Sequence, residues 1–423
     1  MLGIMRKPNG MLTVVDAGSG SGAIAAFGLR CMEVGTMVMV GAACISLFAL
    51  HVGLAIATIG ALLARAPLQR LPGFWIAFAF AAWQVLSVAV AAAHGGQPFL
   101  RTGMGSTFTW FALYIAAFTL RDPSVRRRSA TVLAIALLAS VALATIQFFV
   151  GFGGSRPFRV SLTGRRFAEC SGFMPLHLTQ GFILTEILLI FMLDGAATGV
   201  SRCLTWSVRI AAPIGILLAF ARSSFLGAAA ALGAFAACSM RKIVYGIGLA
   251  ALLLGISFTL ALLRDPDQLE NLARLDDGRV TIWEVSLRMI GQHPWFGVGG
   301  ADNFKRENDR LIAELYPDHT RDRWLQAPHA HNSFLGLAAE HGLPSTLLYV
   351  ALIAAVLVHL HRLRTEAPNG WRLGCSVATC AVVSGQFEHL AGHSGPSFVL
   401  FLTLGFALAI TSISRQPALG APA

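Results

Sequence analysis

His331 and Asn332 sit in the run His329-Ala-His331-Asn332-Ser-Phe, which continues through Glu340-His341-Gly342-Leu-Pro344-Ser345. Imidazole exchanges protons near neutral pH, so His331 is a candidate general base for activating a hydroxyl. Asn332 is a candidate substrate contact, or simply the N-cap of the helix that follows it. His329 reads as loop structure. His329, His331, His319 and Glu340 are also ligand types that zinc accepts. A lone His-x-His with no second clustered pair is weak, and no metal or other cofactor is expected. Arginine is the second chemistry-bearing type. Arg222 stands in Ala-Phe-Ala-Arg222-Ser-Ser-Phe between two apolar runs. A charge there costs about 2.5–3.5 kcal/mol if it is deep in a membrane. Arg279 and Arg288 follow Gly278, and Arg165 and Arg166 close a basic patch with Arg156 and Arg159. A guanidinium holds phosphate through two parallel charge-assisted bonds, so these arginines are candidate anion clamps. The competing reading for each is a solvated or headgroup-facing side chain. Glu388, His389 and His393 form a further polar cluster, read as structural pairing. Glu340 and His341 are expected to face elsewhere or to shape the mouth of the site.

The elements that must position these groups are membrane helices. Hydrophobic residues make up 55% of the 423 and charged residues 13%, against about a quarter charged in soluble domains. Mean hydropathy is +0.66. Runs at 74–93, 130–150, 243–263 and 396–413 approach the roughly 20 residues a spanning helix needs. Two spans each are expected in 34–64 and 207–239, with others at 106–120, 178–193, 345–360 and 373–390. The runs do not alternate as barrel strands would, so only helices satisfy the backbone in lipid. The fold expected is all-α: a polytopic integral membrane protein of about 12 transmembrane helices with one large outer loop.

Orientation follows from the short-loop Lys and Arg. With the N-terminus inside, Arg6–Lys7, Arg65–Arg70, Arg121–Arg128, Arg202–Arg209, Arg241–Lys242 and Arg362–Arg372 all fall inside. These clusters supply about half of the basic residues, so the formal charge of +11 gives no reason to expect a nucleic-acid partner. The chain then divides into an inner tail at 1–33, helices 1–9 over 34–263, an outer loop carrying the chemistry at 264–341, helices 10–12 over 342–414, and an inner tail at 415–423. Cys375 and Cys380 cannot easily bridge, and the seven cysteines form no disulfide framework. The first apolar run begins late and is followed by a second, so no cleavable signal peptide is expected.

Within the loop, Asp276-Asp277-Gly278 can cap a helix from near Arg279. Val280, Trp283, Leu287 and Ile290 recur at helical spacing and are expected to form its apolar face. That helix stops at His293-Pro294, before Trp295-Phe296-Gly297-Val298-Gly299-Gly300. A transporter or lipid flippase is the rival class, since it also has polytopic helices with embedded charge. Here the charges gather at one face, which favours interfacial chemistry.

Together these residues resemble the O-antigen ligase and polysaccharide polymerase superfamily of bacterial membrane glycosyltransferases, with a GT-C-like fold. The resemblance rests on the Arg222-Ser223-Ser224 turn, on Gly278-Arg279 with Trp283, on His293-Pro294-Trp295-Phe296-Gly297-Val298-Gly299, and on His331-Asn332 followed after nine residues by Gly342. Ser345 departs from the last position of the ligase signature. It loosens the match to a ligase and leaves the superfamily intact. The resemblance covers roughly 34–414. It implies inverting, metal-independent transfer of a glycan from undecaprenyl pyrophosphate at the periplasmic face of the bacterial inner membrane. The acceptor would be lipid A–core in a ligase or a growing glycan in a polymerase, with membrane lipids as neighbours. It implies His331 as base, Arg222 and Arg279 as pyrophosphate clamps, and Arg166, Arg165, Asn332 and Arg288 as substrate contacts.

Overall fold

A computed structural model describes residues 3–6, 12–15, 21–96, 106–152, 156–159, 166–238, 278–319 and 325–411. Residues 3–6 and 12–15 pair as the antiparallel strands β1 and β2, and Arg156–Arg159 and Arg166–Glu169 pair as β3 and β4. All other regular structure among the described residues is helical. The helices are α1 (Ser21–Ala42), α2 (Leu47–Leu63), α3 (Phe74–Ala93), α4 (Phe111–Thr119), α5 (Pro123–Val150), α6 (His177–Met192), α7 (Gly195–Thr198), α8 (Arg202–Leu218) and α9 (Arg222–Ala237). Beyond them come α10 (Arg279–Gln292), α11 (Ala301–Leu315), α12 (Ser333–His341), α13 (Leu343–Arg362), α14 (Pro368–Gly385) and α15 (Ser394–Thr411).

Five of the described helices are long and apolar enough to cross a membrane: α1, α3, α5, α13 and α15. α2 and α6 are apolar and shorter. The bundle is built around α6 and α15, which are buried along nearly their whole length. A helix apolar on every face belongs inside, and α15 packs on α4, α14 and α6. The outer helices turn large apolar side chains outward instead, among them Phe48, Leu62, Trp75, Phe149 and Leu347. So much exposed apolar surface is that of a protein bathed in lipid.

Two boundaries differ from expectation. α1 begins at Ser21, ahead of the expected end of the tail at residue 33, because Glu33 is carried inside the helix and meets Arg128 at 3.8 Å. The candidate span at 106–120 yields only the nine residues of α4, about 14 Å of rise. Its first part is turned, with Thr109 Oγ1 donating to the Ser106 carbonyl and lying 2.8 Å from Ser397 Oγ. The candidate span at 243–263 and the Asp276-Asp277 cap lie outside the described residues.

The two ends of the bundle differ chemically. At one end arginines bind carbonyls that helix C-termini leave without intrahelical partners. Arg126 donates to Leu120 O after α4, Arg209 to Phe191 O and Leu193 O after α6, and Arg372 to Cys238 O after α9. Arg126, Ala197, Glu366, Asn369 and Ile410 line a cavity of about 270 Å³ there. At the other end α10, α11 and α12 enclose a small core of their own, including Ile282, Val285, Met289, Phe304, Leu311 and Ala339.

This core corrects the expected face of α10. Ile282, Val285, Ser286 and Met289 are buried, whereas Val280 and Leu287 are exposed. The helix carries apolar residues on more than one side, and α11 and α12 chose which side is covered.

Candidate active site

The site forms where the start of α9, the end of α14 and the residues before α12 meet. α14 stops at Gly385, and the chain turns through Gln386, Phe387 and Glu388. Ser384 Oγ donates to the Ser223 carbonyl at 3.1 Å, which fixes the Arg222 turn against this end. Asn332 Nδ2 donates to Gln386 O at 3.3 Å, and Ser333 Oγ donates to Glu388 O at 2.9 Å. Meanwhile Asn332 Oδ1 accepts from Phe334 N and Leu335 N, so Asn332 is the N-cap of α12 as well. It does two structural jobs that leave its amide committed to protein.

α10 is pinned to the same place by Trp283, whose indole N–H donates to Ala330 O at 3.1 Å. Arg279 lies one turn before Trp283 and so faces the same side. Its Nη2 is 3.8 Å from Glu388 Oε1, and His331 Nδ1 is 3.8 Å from Glu388 Oε2. Glu388 is buried, while Arg279 and His331 are each about a third exposed. The carboxylate therefore stands between His331 and Arg279, with both partners partly exposed.

The backbone at His331 is strained. Its φ is +48°, a region that non-glycine residues rarely enter and that clusters at functional sites. His331 N donates to His329 Nδ1 at 3.2 Å, which holds the turn. That bond requires an unprotonated Nδ1 on His329. Burial, together with His331, His389 and His393 nearby, pushes the His329 pKa far below the ordinary imidazole range. His329 packs edge-on against both His331 and His393.

Behind this lies a second acid–imidazole pair. Glu340 Oε1 is 3.0 Å from His389 Nε2, with both side chains buried. Glu340 was expected to face elsewhere or to shape the mouth of the site; Gly336 and Gly392 clear the room in which it meets His389. A Cβ at either glycine would overlap the His389 ring. Burial alone would raise the Glu340 carboxyl, yet His389, His341 and His393 together carry it below its ordinary value. Burial lowers His341 and His393 to about 4, with His389 adding to the shift.

The glycine-rich run after α10 works as a clasp. Val298 N donates to Ala339 O, Gly299 N and Gly300 N to Glu340 O, and Leu343 N to Pro294 O. Trp83 on α3 stacks on Phe296 at 5.1 Å and donates its indole N–H to His341 O. Gly342, at φ +83°, passes so close to the Trp295 carbonyl that a Cβ would overlap it. The clasp thus binds the C-terminal end of α12 to the membrane bundle.

Residues 208–350 match the family model described as O-antigen ligase. Over this segment the chain is similar to the O-antigen ligase family. No curated protein matches the chain. The matched segment contains Arg222, Arg279, Arg288, His331 and Asn332, and it ends ahead of Glu388.

Of the residues expected to act, His331 and Arg279 converge on one carboxylate, and the Arg222 turn is anchored beside them through Ser223. Arg288 does not join them. It is nine residues from Arg279 on α10, which is two and a half turns, so it emerges on the opposite face and is exposed. Arg166 has its backbone in β4, Arg165 lies outside the described residues, and neither side chain is described, nor is that of His319. Glu388 is the residue that sequence reasoning placed too low. Its signal was its position just beyond a span expected to end on the outer side. Among the described residues no group of three or more His, Cys, Asp or Glu is arranged to hold a metal ion.

Proposed function

We propose that this protein is a multi-pass inner-membrane glycosyltransferase of about twelve spans. It would transfer a glycan from undecaprenyl pyrophosphate to an acceptor sugar hydroxyl at the periplasmic face. The observation that carries the reading is the Arg279–Glu388–His331 arrangement on a superfamily segment. His331 Nδ1 faces Glu388, so the carboxylate favours the tautomer with the proton on Nδ1 and the lone pair on the outward Nε2. A gap of 3.8 Å is too long for a hydrogen bond. Apo sites are commonly loose in this way and tighten around substrate.

In the reaction the acceptor hydroxyl attacks the anomeric carbon of the donor from the side opposite the pyrophosphate. His331 Nε2 takes the hydroxyl proton as the new glycosidic C–O bond forms. The bond from that carbon to the pyrophosphate oxygen breaks, its electron pair leaves on the phosphate, and the anomeric centre inverts. Glu388 holds the imidazolium that results. Arg279 and Arg222 take the pyrophosphate charge, each charge-assisted bond contributing about 1.5–3 kcal/mol. The turn at Arg222 supports this role because Ser384 and Ser223 tie it to the loop that carries Glu388.

Lipid A–core is the proposed acceptor, with a growing glycan as the alternative. The experiment is transfer of a lipid-linked glycan by purified protein in lipid. His331→Ala should abolish transfer while membrane insertion and folding persist. Full activity in that variant would remove the base assignment. Deletion in cells distinguishes the acceptor: a ligase leaves no glycan on lipid A–core, whereas a polymerase leaves single repeats attached.

A further inference from the structure

A second cavity lies on the far side of the glycine-rich clasp. It has a volume of about 440 Å³ and is lined by the end of α3, the clasp and α11. That volume falls in the roughly 300–1,000 Å³ range of small-molecule sites. His331, Arg279 and Glu388 take no part in it. The clasp is the shared wall, with Phe296–Val298 facing the cavity while the same backbone bonds Ala339 and Glu340 on its other side.

The chemistry of the lining is specific. Asn303 is buried and donates to Gly299 O, while its Oδ1 accepts from Arg306 Nη2 at 3.1 Å. A fixed amide thus aims the Arg306 guanidinium at the cavity. Glu307 also lines it, but both of its oxygens are already held by Arg310, at 2.6 and 3.0 Å. His94 lines the cavity from α3, with Nδ1 donating to Val90 O at 2.8 Å, which leaves Nε2 directed away from the helix. His293 lines the opposite side. At the mouth Trp295 is 68% exposed, although its backbone is locked by the Gly342 approach and the Leu343–Pro294 bond. An exposed indole on a fixed backbone offers an apolar plate for stacking, and the Arg306 guanidinium offers donors to an anion.

We propose that this cavity binds an acidic sugar, one carrying a carboxylate or phosphate. The indole takes the apolar face of the ring, Arg306 takes the anionic group, and His94 Nε2 accepts from a ring hydroxyl. Held there, a glycan chain has a second anchor away from the bond being made. That last role rests on the proposed transfer reaction, whereas the binding site does not.

The test is titration of the full-length protein in nanodiscs with glucuronate, glucose 6-phosphate, glucose and glycerol 3-phosphate. The two acidic sugars should bind and glucose should bind weakly or not at all. Arg306→Gln should weaken the acidic sugars by about tenfold or more, and Trp295→Ala should weaken them with the fold intact. His331→Ala should bind them as the parent does, which separates this site from the catalytic reading. Glycerol 3-phosphate binding as tightly as glucose 6-phosphate would overturn the proposal in favour of a lipid headgroup. Equal binding by Arg306→Gln and the parent, or no binding of either acidic sugar, would also overturn it. If transfer can be measured, Arg306→Gln should raise the KM for an acidic acceptor and leave kcat in place.

Discussion

Glu388 gains its importance from what it lies between. It is the one buried carboxylate within 4 Å of both Arg279 and His331 among the described residues. Glu388→Gln keeps the shape and removes the charge that, in the proposed reaction, would steady the imidazolium. We expect kcat to fall by roughly a hundredfold or more, with donor KM nearly unchanged. An unaltered kcat in that variant would reduce Glu388 to a packing residue. The buried imidazoles make a separate prediction about pH. His341 and His393 titrate near 4 in the folded protein, against 6.5 ordinarily. Below 6.5 the unfolded chain takes up protons that the folded one refuses. Stability contributed by neutral burial is therefore complete above about 6.5 and is lost as pH falls toward 4. Each histidine removes about 1.4 kcal/mol per pH unit across that window. Thermal unfolding in detergent between pH 4 and 7.5 measures this. His393→Asn should flatten the profile, and an identical slope would show that His393 does not contribute.

At the scale of elements, the clasp joins α12 to the bundle and so sets where His331 stands. Gly342→Ala meets both a left-handed φ and the Trp295 carbonyl. It should cost about 2 kcal/mol or more and lower activity together with stability. Gly291 supplies the control. It lies in the exposed last turn of α10, with nothing within 4 Å of a new Cβ. Gly291→Ala should be neutral or stabilising by about 0.5–1 kcal/mol. Equal melting temperatures for the two variants would contradict the clasp. The same contrast explains why the glycine-rich run carries no catalytic group: its work is to present backbone donors to Ala339 and Glu340.

For the whole molecule, the two ends of the bundle predict its orientation. Asn369 lies with Arg126 and Glu366 at the end where arginines bind helix carbonyls, and Gly291 lies beyond α3 on the catalytic side. Single cysteines at these two positions, placed in a background without native cysteines, should react with impermeant thiol reagents from opposite sides. Asn369→Cys should label from the cytoplasm and Gly291→Cys from the periplasm. Labelling from one side only would reject the twelve-span topology and the periplasmic site with it.

Much of this was legible in the chain itself. Apolar runs of about twenty residues have one satisfactory form in lipid, so α3, α5, α13 and α15 were expected nearly where they lie. Lys and Arg in short loops set the expected orientation, because charge resists crossing. Arg222 stood out because a guanidinium is costly beside apolar spans, His331 because it lies in a histidine-rich polar stretch, and Arg279 through the motifs that carry the resemblance. Three features needed tertiary structure. The buried side of α10 depended on which face α11 and α12 covered, since apolar residues lie on several sides of that helix. Arg288 was indistinguishable from Arg279 by type, and only the position of His331 separates their faces. Glu388 lies 57 residues after His331 in the chain, and no local pattern joins them. They meet because α13 and α14 form a hairpin that returns the end of α14 to the start of α12, and that packing is a non-local contact no single segment encodes.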